Sequence, residues 1–159
     1  MPRITPNLWF DTQAQEAAEF YVSVFPNSKI TKVTNYGEGT GPDRAGSVLT
    51  VEFELDGQPY LGLNGGPEFT FSEAVSLSID CADQEETDYY WTKLTADGGQ
   101  ESQCGWLKDK FGLSWQVVPA ELIRLLQDPD AGRAQRAMEA MLKMQKIDVA
   151  VVRAAADNA

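Results

Sequence analysis

The chain has no histidine among its 159 residues. That removes imidazole acid–base catalysis, Ser-His and Cys-His dyads and every His-ligated metal site. Few side chains with chemical potential remain. Glu52 lies in an alternating apolar/polar run and would act as a general base if desolvated; the plainer alternative is a solvent-facing or cross-strand carboxylate. Cys104 precedes Gly105-Trp106, and Lys108 or Lys110 would lower its thiol pKa if close. Its plainer alternative is an unreactive, half-buried thiol. The only other cysteine is Cys81, and two cysteines in a chain of this length do not make a disulfide scaffold.

Composition narrows the partners. Net charge is −11, whereas nucleic acids and anionic membranes require clustered Lys and Arg, so neither is expected as a partner. No run approaches a membrane span, and MPRITPNLWF lacks a signal pattern. Together with free thiols this gives the expectation of a cytoplasmic protein.

The elements that must position these groups are read from periodicity. Ile4–Phe10 is a strand pattern, followed by a helix over 13–24 with Ala14, Ala17, Ala18, Tyr21, Val24 and Phe25 at helical spacing. Thr12 and Gln15 have capping-box spacing. Lys29–Asn35, Val48–Leu55 and Pro59–Leu63 read as strands, with residues 36–46 as a loop and Asp56-Gly57 as a hairpin turn. The order then begins again: a strand over Ala74–Asp80, a helix over Asp83–Thr95 with Asp83 and Glu86 as a capping pair, and short strands near 101–104, 106–108 and 113–118. From Pro119, placed at a first helical position, the tail is helical, with segments over 121–127, 131–145 and 147–156. Met138, Met141, Leu142 and Met144 give the tail an apolar face, expected to pack on the sheet or on a second subunit.

A shift of 69 positions pairs Leu8 with Leu77, Asp11 with Asp80, Gln15 with Gln84, Glu16 with Glu85 and Tyr21 with Tyr90. Identity, period and element order agree, which indicates a duplication. The fold class is therefore α+β: two tandem βαβββ modules, at about 1–66 and 72–119, in a single domain over 1–159 with a helical extension over 120–159.

LNGGP at 63–67, DQEETDYYW at 83–91, CGWLKDKFGLSWQVVP at 104–119 and MLKMQKID at 141–148 resemble motifs of PhnB-like proteins. This is the group labelled 3-demethylubiquinone 3-methyltransferase-like, in the vicinal-oxygen-chelate (glyoxalase/bleomycin-resistance/dioxygenase) superfamily. The resemblance covers nearly the whole chain. It implies mixed sheets curled around a cup, and a homodimer. It leaves the activity open, since the superfamily includes lyases, epimerases, dioxygenases and drug-binding proteins.

Strand alternation assigns the faces. Leu8 and Phe10 go to the core, leaving Thr5, Asn7 and Trp9. Leu49, Val51, Phe53 and Leu55 leave Thr50, Glu52 and Glu54. Leu61 and Leu63 leave Tyr60, Gly62 and Asn64. Val75, Leu77 and Ile79 leave Ser76 and Ser78, while Leu113, Trp115 and Val117 leave Ser114, Gln116 and Val118. The expected ligand-binding cup is Asn7, Trp9, Thr50, Glu52, Asn64, Ser76, Ser78, Cys104 and Gln116, with Glu52 the candidate catalytic group. In metal-dependent members the resemblance sets His and Glu ligands on the first and last strands of each module. Those positions here hold Thr5 or Asn7, Ala74 or Ser76, and Gln116 where Gly-x-x-x-Glu from Gly112 would place the glutamate. Amide and hydroxyl oxygens are poor ligands for zinc, iron or nickel, so no metal and no cofactor is expected.

The methyltransferase label directs attention to Glu38-Gly39-Thr40-Gly41, which superficially resembles an S-adenosylmethionine loop. That motif requires a helix directly after it. Here Pro42 follows and the next apolar run alternates as a strand, so a surface loop is expected. Three functions fit these residues: metal-free binding of a small polar or aromatic molecule; an enzyme, either a cofactorless catalyst using Glu52 or the labelled methyltransferase; and a divalent-metal lyase or dioxygenase with oxygen ligands.

Overall fold

The computed structural model describes residues 2–39 and 44–158. The chain divides into two compact units, residues 1–71 and 72–159, each built around a four-stranded mixed sheet. The fold is α+β, with the βαβββ order present twice and helices at the C-terminal end.

In the first unit, β1 (Asn7–Phe10) leads into α1 (Ala14–Val24), then β2 (Lys29–Asn35), β3 (Val48–Leu55) and β4 (Gln58–Asn64). The sheet order is β1-β4-β3-β2, with β1 parallel to β4 and the other pairs antiparallel. Alpha-helical spacing puts Ala14, Ala17, Ala18, Tyr21 and Val24 on one buried face of α1. Tyr21 packs on Phe53, and Phe53 stacks on Tyr60 with ring centroids 5.5 Å apart. Asp56 and Gly57 both take positive φ (48° and 83°), as a two-residue hairpin with the twist of its strands requires. Of the loop expected over 36–46, residues 40–43 lie outside the described residues.

Two local expectations for this unit are corrected. The Thr12/Gln15 capping box does not form: Gln13 holds the N-cap position and makes no side-chain cap. The orphan N–H of Ala14 donates instead to Asn64 Oδ1 at 2.8 Å, and Asn64 Nδ2 donates to the Val48 carbonyl at 3.0 Å. The face of β4 is also inverted. Gly62 and Asn64 are buried and Leu61 and Leu63 half-buried. The register explains why: Gly62 stands opposite Val51 and Tyr60 opposite Phe53, so they share the helix-covered face. A Cβ on Gly62 would lie 3.2 Å from the Ala14 Cβ, so this close approach of α1 favours glycine.

In the second unit, β5 (Ser76–Cys81) leads into α2 (Gln84–Thr95), a 3-10 turn at Ala96–Gly98, β6 (Gln100–Glu101), β7 (Trp106–Lys108) and β8 (Ser114–Pro119), in sheet order β5-β8-β7-β6. Asp83 caps α2, accepting from the Glu86 N–H at 2.9 Å. Val75 was expected in the core, but the strand starts one residue later and Val75 is exposed. Pro119 is the N-cap of the next helix and the last residue of β8, not a first helical residue.

The tail forms α3 (Ala120–Leu126), α4 (Ala131–Met141) and α5 (Val149–Asp157) around a cluster of Leu122, Leu125, Ala137, Ile147, Val149, Val152 and Ala156. Met141 and Met144 pack against this cluster, whereas Met138 and Leu142 are exposed. The helix expected through Gln145 stops at Met141. Beyond it the carbonyls of Met144 and Gln145 accept from the N–H groups of Cys104 and Gly105, each at 2.8 Å, so the chain continues as a pairing segment.

The Asn64 contacts make a stability test. Asn64→Ala strands the Ala14 amide and the Val48 carbonyl, with an expected loss of about 2 kcal/mol. Asn64→Asp loses less, because a carboxylate still accepts at a helix N-terminus. Thermal unfolding by circular dichroism checks the order; equal losses would assign the stabilisation to the Val48 contact alone.

Candidate functional site

In each unit α-helices cover one sheet face, and the opposite face carries the polar side chains. On the first sheet, cross-strand register aligns Lys32, Glu52, Leu61 and Asn7 in one row and Thr34, Thr50, Leu63 and Trp9 in the next. Asn7, Trp9, Thr50 and Glu52 therefore share the face that alternation assigned to them. Trp9 is committed locally: its Nε1 donates to the Gly66 carbonyl at 2.9 Å, and a Cβ on Gly65 would fall 2.4 Å from the indole. Gly65 of LNGGP thus makes room for a tryptophan, while Gly66, at a φ of 107°, presents the carbonyl that accepts its indole N–H. Asn64 is not on this face. Its side chain is spent on Ala14 and Val48, as described above, and it leaves the candidate set.

On the second sheet, Ser76 stands opposite Ser114, Ser78 opposite Gln116, and β7 adds Trp106 opposite Gln116 and Lys108 opposite Ser114. Ser76, Ser78 and Gln116 are brought to one face as expected. Gln116 Nε2 donates to Ser76 Oγ at 3.0 Å. A cavity of about 200 Å³ opens here, lined by Glu73, Gln100, Trp106, Lys108 and Ser114 among others. Lys108 pairs with Glu73 and holds its carboxyl below the ordinary range. Ser114 is 1% exposed, and its hydroxyl has no hydrogen-bond partner among the described residues. Trp106 and Lys108 escaped sequence reasoning because three residues of β7 are too few to show which face alternates inward. Ser114 was visible in the alternation, but nothing in the sequence marked its hydroxyl as unpartnered.

Cys104 is also corrected. It sits at positive φ (58°) in the turn before β7, with its N–H on the Met144 carbonyl, so it belongs to the junction with the tail and not to the sheet face. The Cys81 thiol is buried, and burial pushes its pKa up to about 11, the reverse of what a nucleophile needs.

What fixes β8 is Asp109, 2% exposed. Its Oδ1 accepts from the N–H groups of Phe111 (2.9 Å) and Leu113 (3.1 Å), and its Oδ2 from Trp115 Nε1 at 2.9 Å. Gly112 takes φ of 87° at the turn. The motif KDKFGLSW is thus a turn organised by a carboxylate, and it sets the register that delivers Ser114 and Gln116.

The residues present do not fit a transition metal. The first- and last-strand positions of the second unit, Ser76 and Gln116, are neutral and hydrogen-bonded to each other. Among the described residues no three Asp, Glu or Cys side chains come together as a metal site.

A family model described as 3-demethylubiquinone-9 3-methyltransferase matches residues 2–118. A Bacillus cereus structure described as a PhnB protein of the 3-demethylubiquinone-9 3-methyltransferase type is 34% identical, with 75% of this chain and 100% of that chain covered and a TM-score of 0.67. A Pseudomonas aeruginosa protein is 17% identical, covering 75% of this chain and 98% of its own, at TM-score 0.62. The fosfomycin resistance protein FosX of Listeria monocytogenes, solved with Mn(II) and sulfate, is 12% identical, covering 79% and 95%, at TM-score 0.54. The last two show likeness of fold alone. No curated protein matches. The chain belongs to the 3-demethylubiquinone-9 3-methyltransferase family and has the vicinal-oxygen-chelate (glyoxalase) fold.

Three donors converge on Asp109, so an amide there must turn its NH2 toward one of them. Asp109→Asn is expected to cost about 2–3 kcal/mol, read as a lowered urea midpoint. An unchanged midpoint would remove Asp109 as the organiser of β8.

Proposed function

We propose that this member of the family binds a small polar or aromatic molecule on the open face of its second sheet, without a metal ion. The observation that supports it is the cavity beside Trp106 and the Lys108–Glu73 pair, in whose wall stands Ser114, its buried hydroxyl without a hydrogen-bond partner among the described residues. Leaving a buried hydroxyl unsatisfied costs about 1–3 kcal/mol, and a ligand atom placed against it recovers that cost. Trp106 offers a flat ring for an aromatic or conjugated ligand, and the Lys108 ammonium favours a carbonyl, phenolate or carboxylate oxygen on it. Ser76, Ser78 and Gln116 extend the same face with donors and acceptors of neutral charge. In this reading the protein works in the cytoplasm as a homodimer, in keeping with its unpaired thiols and with what the family resemblance implies.

The methyltransferase reading has the family description in its favour. Against it stands the strand order. β2, which follows α1, lies at the far edge from β1, so no β-α-β crossover joins adjacent parallel strands where a glycine-rich cofactor loop would be built. Thr40 and Gly41 of the loop considered above lie outside the described residues. Glu52 faces Lys32 across the strands, an arrangement suited to a cross-strand charge pair as well as to a base.

The test is a thermal-shift screen of small phenols, quinones and aromatic acids, followed by calorimetry on the hits. Ser114→Ala is expected to weaken binding about fivefold, one hydrogen bond's worth, with the apo fold intact. S-adenosylmethionine is expected to give no heat, and dialysed protein to retain no stoichiometric manganese or zinc. Hits indifferent to Ser114→Ala would sink the site; retained metal would sink the metal-free reading.

A further inference from the structure

The cavity on the second sheet already holds a carboxylate, supplied by the chain itself. Cross-strand register lines up Gln100, Lys108, Ser114 and Ser76 in one row. Glu73 lies three residues before Ser76, in the turn that leads into β5, and its carboxylate pairs with the Lys108 ammonium on β7. The ion pair therefore joins the segments on either side of Ser114. Among the described residues that line the cavity, Lys108 is the only cation. The second acid there, Glu101, is engaged by α2, its Oε1 accepting from Trp91 Nε1 at 2.6 Å.

The two partners of the pair are not equally fixed. Lys108 sits in a strand with ladder partners on both sides, and its side chain is 37% exposed. Glu73 sits on a turn outside the ladder, its side chain is 61% exposed, and Val75 beside it is exposed as well. Ion pairs with this much exposure are weak, and Glu73 is the partner free to leave. Charge then decides what can replace it. A neutral ligand seated over the closed pair desolvates two charges, and one seated on the opened pair leaves Lys108 unpaired; both are unfavourable. A cation would have to dislodge Lys108, the anchored partner. An external carboxylate does neither: it takes the place of Glu73, keeps the ammonium paired through a charge-assisted hydrogen bond, and sets its ring against Trp106.

We infer that the second-sheet cavity selects aromatic molecules that carry a carboxylate, with Lys108 reading that group and Glu73 acting as a built-in competitor that the ligand displaces. This rests on the cavity being a ligand site, and adds to that reading the charge of the ligand and a residue that opposes its binding.

The probes are benzoate, benzamide and benzylamine, one ring with a negative, a neutral and a positive group, titrated into the intact protein by calorimetry. Benzoate is expected to bind most tightly. Glu73→Gln should tighten benzoate about threefold to fivefold, the worth of an exposed ion pair, and leave benzamide unchanged. Lys108→Met should weaken benzoate about tenfold and remove its advantage over benzamide. Glu85→Gln makes the same charge change at an exposed site on α2 outside the cavity; it should leave benzoate unchanged, which separates a local competitor from the net charge of −11. Benzamide or benzylamine binding as tightly as benzoate overturns the inference while leaving the cavity a ligand site. So does a benzoate affinity indifferent to Glu73→Gln, or one that Glu85→Gln raises equally. If none of the three binds at millimolar concentration the inference falls, and the cavity itself is then judged by the phenol and quinone screen.

Discussion

Each unit is held by the parallel pairing of its first strand with its last. Three antiparallel strands alone would leave β1 and β5 with nothing to pair with. The return of β4 to β1 and of β8 to β5 closes each four-stranded sheet beneath one helix. Everything else follows from that ladder. It decides which side chains the helix covers, and through strand pleating it decides which ones the opposite face presents. It also brings together groups far apart in the chain, such as Ser76 and Gln116, 40 residues apart. The hydrophobic cores under α1 and α2 then make the pairing worth its loop-closure entropy.

The sequence was legible wherever periodicity ran long. The bounds of β2 and β3, the Asp56-Gly57 turn and the buried face of α1 were all readable, because each has several residues of consistent pattern. The repeat was readable because it carries identities as well as pattern. Legibility failed where a face is set by tertiary approach. Leu61 and Leu63 looked inward-facing on hydrophobicity alone, yet α1 comes so close over β4 that glycine and asparagine must occupy the covered side. The Asn64 side chain is there for the helix, not for a ligand. At Cys104 the deciding partner is the Met144 carbonyl, 40 positions along the chain, which no local pattern announces. The β7 strand was too short to reveal that Trp106 and Lys108 share a face with Gln116.

The two copies have diverged in how they treat one shared framework. Both keep a glutamine and an acid near the helix start, but only the second places a polar pair, Ser76 and Gln116, on its first and last strands; in the first, the last strand turns Leu61 and Leu63 to that face. In the second copy the tail has been recruited into the fold, and its isoleucine has become core. The superfamily's metal chemistry needs charged or imidazole donors at strand positions that here carry hydroxyls and an amide. What the open faces retain is hydrogen-bonding capacity and aromatic surface, the means of recognising a molecule by shape and polarity.

The Asp109 turn bears on the order in which the second unit assembles. Its carboxylate gathers donors two, four and six residues away, so almost no chain must be immobilised to make it. Closing the β5–β8 ladder must restrain a much longer loop before it gains any contact. The β7–β8 hairpin is therefore the natural nucleus, with contacts local enough to form within microseconds, and β5 joins a template already in register. A buried acid in that position steers the folding route as well as the geometry of the final site.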